Sequence, residues 1–213
     1  LLATIGITIG YRAGWKRGTR QDTVATSLSM LTYSMPEFWV GMVMLGLFAA
    51  KLGWFPVGGL EDSGSTATGF AQLLDQFHHM VLPAVVLAVA YVGEYMIVAR
   101  SAMIETLRED YLQLARAKGM REDEVRRRHA VPNARLPVVS LSAINFGFVF
   151  SGAIAVESIF SWPGLGQATF LAVRGPDLPV LQGLFLLMSA TVIFANLVAD
   201  LLYGRLDPRV MGR

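Results

Sequence analysis

The chain has 213 residues, 54% of them hydrophobic and only 16% charged, and it contains no cysteine. A soluble domain averages about 25% charged residues, so this composition, with a mean hydropathy of +0.48, excludes a disordered chain and argues against an ordinary soluble enzyme. Without cysteine there is no disulfide, thiolate metal site or cysteine nucleophile, and a pI near 9.1 at a net charge of only +2 turns attention to where the basic residues sit.

Leu1–Tyr11 is apolar but about half as long as the ~20 residues that cross a hydrocarbon core. It lacks the basic start and small-residue cleavage site of a signal peptide. With no initiator Met, it reads as the end of a truncated span in a partial or processed chain. Four longer apolar stretches follow: Thr26–Ala50, Met80–Ala99, Pro137–Phe160 and Val180–Tyr203. Pro83 and Pro137 fall where first helical turns are expected, at little cost. Pro36 lies inside its stretch and should kink it.

Lys and Arg alternate between the connecting segments. Arg12–Gln21 holds four, Arg100–Arg135 nine and the tail after Tyr203 three, whereas Lys51–His79 and Ser161–Pro179 hold one each. The positive-inside rule places the rich set, and with it the C-terminus, in the cytoplasm. Glu61, Asp62, Asp75 and Asp177 then lie outside. The expected fold is an all-α, polytopic transmembrane helical bundle, a single domain over 1–213 with five visible spans, the first truncated. A chain starting in the cytoplasm needs a sixth span upstream.

The basic segment Arg100–Arg135 has its own pattern. Met103, Leu107, Tyr111 and Leu114 make one apolar stripe at helical spacing. Gly119 ends it as a C-terminal glycine does. A second helix is expected to begin at Glu122-Asp123-Glu124 and end at Arg126-Arg127-Arg128, acid and base complementing the helix dipole, with Pro132 and Pro137 closing the segment. Nine basic and six acidic residues on this unit fit a protein-docking element better than a lipid-binding patch, which would be more uniformly basic.

Ala115-Arg116-Ala117-Lys118-Gly119, followed by His129-Ala130-Val131-Pro132, resembles the EAA signature of ABC-importer permeases. Gln113 stands in place of the signature Glu, and Leu114 in place of its first Ala. Glu157-Ser158-Ile159-Phe160-Ser161-Trp162-Pro163-Gly164-Leu165-Gly166 resembles an outer-loop motif of the dipeptide and oligopeptide permeases of the B type. Ser34-Met35-Pro36-Glu37-Phe38-Trp39, Asp177–Gly183 and Asp207-Pro208-Arg209 are similar to that branch too.

The resemblance implies the transmembrane permease subunit of an ATP-driven importer, moving dipeptides or oligopeptides inward by alternating access in the inner membrane. It implies three kinds of protein neighbour besides lipid: a homologous permease, two cytoplasmic ATPase subunits and an extracytoplasmic binding protein. The chain has no G-x-x-x-x-G-K-[ST] loop, so ATP and Mg belong to those partners, and no cofactor, metal or catalytic residue is expected here. Tyr111, Ala115, Arg116, Ala117, Lys118, Gly119, His129 and Pro132 are the candidate residues for coupling to the ATPase. Glu157, Trp162, Pro163, Gly164 and Gly166 form the outer motif, with Glu157 expected to fix the loop.

An ionisable group within a span is functional by default. Glu94 and its neighbour Tyr95 are candidates for the translocation path, and Glu37 is a weaker one, as a partner for backbone groups freed by Pro36. Asp200 is expected to pair with Arg205 or a neighbour. His78 and His79 point about 100° apart on a helix, a poor metal pair. The segment from Pro163 to Arg174 is expected to form a short outer helix. An ion-coupled carrier would use Glu94 but should show internal repeats and midplane charge pairs, which are absent from the sequence. A membrane hydrolase needs a nucleophile beside a membrane-embedded His, and all three histidines lie outside the spans. Segregation of the basic residues by membrane side excludes a nucleic-acid binder. Nickel chelates and sugars remain alternative cargoes for such an importer.

Overall fold

In a hydrocarbon environment, backbone polar groups must pair within their own segment, and every regular element among the described residues is helical. The structure, a computed structural model, describes residues 2–62, 64–149 and 153–206. In chain order the helices are α1 (Leu2–Trp15), α2 (Arg20–Ser34), α3 (Glu37–Met44, continuing as a π-helical stretch Leu45–Lys51), α4 (Phe70–Thr106), α5 (Asp110–Ala117), α6 (Glu122–Val125), α7 (Val131–Val149), α8 (Ile154–Ile159), α9 (Leu165–Arg174) and α10 (Leu178–Leu206). Arg126–Ala130 is a π-helical turn that joins α6 to α7 without a break.

Pro36 does more than kink its stretch. Met35 and Pro36 are both extended, with ψ of 127° and 130°, so α2 stops and α3 starts anew. Proline disfavours the helical conformation in the residue before it and offers no N–H. Pro83 and Pro137 lie inside α4 and α7 rather than in first turns, because both helices begin upstream in polar sequence. The stripe from Met103 to Leu114 is not one helix. α4 ends at Thr106, and Glu109 is the extended N-cap of α5. The second helix of that segment does not end at Arg128 but runs on into α7. The expected outer helix forms as α9.

Among the described residues two helices are long and apolar enough to cross a membrane, α4 and the Leu178–Val198 part of α10, with a third if α2 and α3 are counted as one broken span. The chain forms two compact units: Leu1–Met35 with Ala88–Ser142, and Pro36–Leu87 with Ala143–Arg213.

In the first unit α1 lies against α4 through Gly6, Gly10 and Gly14. A Cβ on each would meet a main-chain oxygen of α4, Val92 O at 2.7 Å, Met96 O at 2.5 Å and Arg100 O at 2.7 Å. Small residues at four-residue spacing let helix backbones approach this closely. Gly93 makes the same kind of contact with α2, where a Cβ would meet Thr32 Oγ1. Met103, Leu112, Ala115, Val125, Ala130 and Ala134 form a buried cluster that Tyr11, Trp15 and Met120 cover. In the second unit α8 packs on α3 and α9, and α9 on α10. Phe160 is buried there, and Gly58 lets the chain pass against the Phe160 carbonyl, which accepts from Gly59 N at 2.8 Å.

Candidate functional site

The charged segment folds as two short helices on the core of the first unit. Leu112 and Ala115 of α5 and Val125 of α6 point inward and are buried. The expected stripe holds only in its first half: Met103 is buried and Leu107 packs on the core, but Tyr111 is 37% and Leu114 57% exposed. Arg116, Ala117, Lys118, Gly119 and Pro132 are exposed, and His129 is half-buried with its carbonyl accepting from Asn133 Nδ2 at 2.7 Å.

The turn depends on Gly119, whose φ is +80°, a conformation costly for any residue with a Cβ. Its N–H donates to Arg116 O at 2.9 Å, and Met120 N–H to Ala115 O at 3.3 Å, closing α5. Arg116 ties the helices together, its Nε donating to Glu122 Oε1 at 2.7 Å while its guanidinium lies 6.0 Å over the Trp15 ring. Asp123 pairs with Arg126 and Arg127, and Glu124 with Arg128. The acids at the start of the second helix thus pair with the bases that follow it, and Lys118 stays exposed at the turn.

The second constellation surrounds Glu157. Its Oε1 accepts from Ala153 N and its Oε2 from Gln167 N, both at 3.0 Å. Ala153 is the N-cap of α8, and Gln167 is in the first turn of α9, whose own N-cap Gly164 has no side chain to offer. One carboxylate therefore caps two helices, and its charge suits both positive ends. A Cβ on Gly164 would meet that carboxylate, and one on Gly166 would meet Ile154 main chain at 2.6 Å. Trp162 N donates to Glu157 O at 2.9 Å, and Pro163 follows at the exposed edge.

The path candidates are less gathered. Tyr95 is buried with Ala99 and Val138 in a cluster of the first unit, and Glu94 beside it is half-buried. Glu37 is half-buried in the first turn of α3, in the second unit. Asp207-Pro208-Arg209 lies outside the described residues, as do the side chains of Asp200 and Arg205.

Three polar clusters were not anticipated. The buried Asp22 carboxylate accepts from Arg100 Nε at 2.6 Å, Arg100 Nη2 at 3.0 Å and Gly18 N at 2.9 Å, joining the start of α2 to the end of α4. On the segment before and into α4, Glu61 accepts from Gln72 Nε2 and Gln76 Nε2, which hold its carboxyl below the ordinary glutamate range. Buried His79 sits 3.3 Å from Asp75 and 3.7 Å from Asp62. The four-residue spacing of Asp75 and His79 was a readable sign; the pairings of Asp22 with Arg100, of Glu61 with Gln72 and Gln76, and of Asp62 with His79 are too distant in sequence.

Residues 6–212 match the family of binding-protein-dependent transport system inner membrane components. The chain belongs to this family. It is therefore a membrane protein, and its relatives are transport components. It is 40% identical over 224 residues to the dipeptide transport system permease protein DppB of Escherichia coli K12, covering 97% of this chain and 66% of that one. The di/tripeptide permease DppB of Pseudomonas aeruginosa UCBPP-PA14 is 39% identical over 221 residues, with the same coverage. The oligopeptide permease AppB of Bacillus subtilis 168 is 34% identical over 210 residues, covering 99% of this chain and 65% of that one. The chain thus spans about two thirds of the length of these relatives. The α5–Gly119–α6 unit is a charged helical turn, and the Glu157 carboxylate ties the start of α8 to the start of α9.

Proposed function

We propose that this chain is the transmembrane domain of a permease that imports short peptides, driven by ATPase subunits that dock on the α5–Gly119–α6 unit. The observation that carries this reading is the knob itself: the family signature lies on a turn whose inner face is buried and whose outer face is exposed and charged. Its anchoring through Leu112, Ala115 and Val125 lets a push on α5 reach the helices behind it. The peptide cargo is supported by the names of the relatives, which also favour an import system with a second permease and a binding protein. ATP and Mg then belong to the ATPase subunits, and this chain does no hydrolysis.

The topology that fits is five spans of six, with the basic segments and the C-terminus in the cytoplasm. Glu94 is our candidate for meeting the peptide amino group; Tyr95, next to it in sequence, packs with Ala99 and Val138. Glu37 serves the broken α2–α3 stretch.

The test uses the full-length permease reconstituted with its transport partners in vesicles. Gly119→Pro removes the Gly119 N–H and cannot adopt φ of +80°. It should keep membrane insertion and abolish ATP-dependent peptide uptake; normal uptake would sink the docking assignment. In the same vesicles Glu94→Gln should alter peptide uptake while the ATPase subunits stay bound, and unchanged uptake at all peptide concentrations would remove Glu94 from the path.

A further inference from the structure

A groove of about 510 Å³ runs along the first unit between α1 and α7. Three arginines, Arg12, Arg126 and Arg135, stand at one end, and Ile7, Val138 and Val139 line the shaft. Among the described residues no carboxylate lines it. Tyr11 closes its floor, with the hydroxyl donating to Ala134 O at 3.2 Å. Arg126 is already bonded to Asp123, but Arg12 and Arg135 have no carboxylate partner among the described residues.

The dimensions have a counterpart in the membrane. α1 carries the groove from Arg12 back to Thr4, and α7 carries it from Val131 to Ser142. At 1.5 Å per residue these runs are about 12 and 16 Å, close to the roughly 15 Å of one leaflet's hydrocarbon. The arginines fall on the side that the positive-inside rule makes cytoplasmic, where anionic lipids concentrate. A ligand that fits has a negative head for two unpaired guanidiniums and an aliphatic tail one leaflet long.

We infer that this groove binds one anionic phospholipid of the cytoplasmic leaflet, with its phosphate on Arg12 and Arg135 and an acyl chain along Ile7, Val138 and Val139. This rests on the proposed placement of α1 and α7 in the membrane. The lipid seals a seam beside the docking knob, since Arg126 belongs both to the groove and to the acidic–basic pairs that follow α6.

The experiment uses the full-length permease assembled with its partners in nanodiscs of phosphatidylcholine containing a minority of phosphatidylglycerol. It is then extracted in mild detergent and weighed by native mass spectrometry. Wild type should retain phosphatidylglycerol in preference to phosphatidylcholine. Arg12→Gln with Arg135→Gln should weaken that retention roughly tenfold or more, from the attraction of each basic residue for an anionic surface. Arg12→Lys with Arg135→Lys should keep much of it, and Val139→Trp, which fills the shaft at unchanged charge, should lose it. Should the double Gln variant fail to assemble, the Lys pair and Val139→Trp carry the test. Equal retention of both lipids, retention unchanged in the double Gln variant or in Val139→Trp, or a photocrosslinker at Val139 that labels a polypeptide instead of lipid would each overturn the inference. Peptide uptake by the wild-type vesicles is read alongside: uptake without lipid selectivity refutes only the lipid site, and absent uptake refutes the transport reading itself.

Discussion

Each oxygen of the Glu157 carboxylate accepts a different main-chain N–H, one from Ala153 and one from Gln167. Both donors belong to helix starts, where N–H groups have no partner within the helix. Glu157→Ala orphans both, at about 1–3 kcal/mol for each unsatisfied group that stays buried. The expected outcome is faster hydrogen exchange at the Ala153 and Gln167 amides and a lower midpoint of thermal unfolding for the purified full-length permease. Unchanged exchange at both amides would show that another group caps these helices. The resemblance singled out Glu157 as a residue that fixes its segment, although it lies in α8 rather than in a loop. Asp22 was not singled out. Its partner, Arg100, is 78 residues away, and no local pattern joins an aspartate at a helix start to an arginine on another helix.

Helices were easier to read from the sequence than their ends. Apolar runs located α4, α7 and α10, but α4 and α7 start well upstream, in sequence that carries polar residues, because a helix continues wherever its next hydrogen bond can form. The apparent stripe through Tyr111 and Leu114 misled for a related reason. The break at residues 107–109, between α4 and α5, resets the helical phase, so Leu112 and Ala115 took the buried positions instead. The glycines of α1 were visible at four-residue spacing, but only the packing on α4 gives them meaning. Gly10→Val should force the helices apart, costing about 1–3 kcal/mol as core overpacking does. Gly183→Ala, which meets open space on α10, should be neutral or slightly stabilising. The comparison of thermal unfolding midpoints decides this, and equal midpoints for Gly10→Val and wild type would deny the close α1–α4 contact.

At the scale of the whole molecule, the unequal charge of alternate segments remains the most informative single quantity in the sequence. It predicts that Arg127 faces the cytoplasm and that Ser65 faces the other side. The sequence has no cysteine, so single Arg127→Cys and Ser65→Cys variants can be labelled without a background from this stretch. An impermeant maleimide added outside spheroplasts should label the position-65 variant and spare the position-127 variant until the membrane is opened. The opposite pattern would invert the topology. The Glu157 cage has a consequence for how such a chain can change over generations. Position 164 has no room for a methyl group while a glutamate occupies position 157, and position 166 faces the main chain of Ile154. Substitutions at positions 157 and 164 are therefore coupled: alanine at 164 meets the Glu157 carboxylate, and a shorter acid at 157 should relieve that clash.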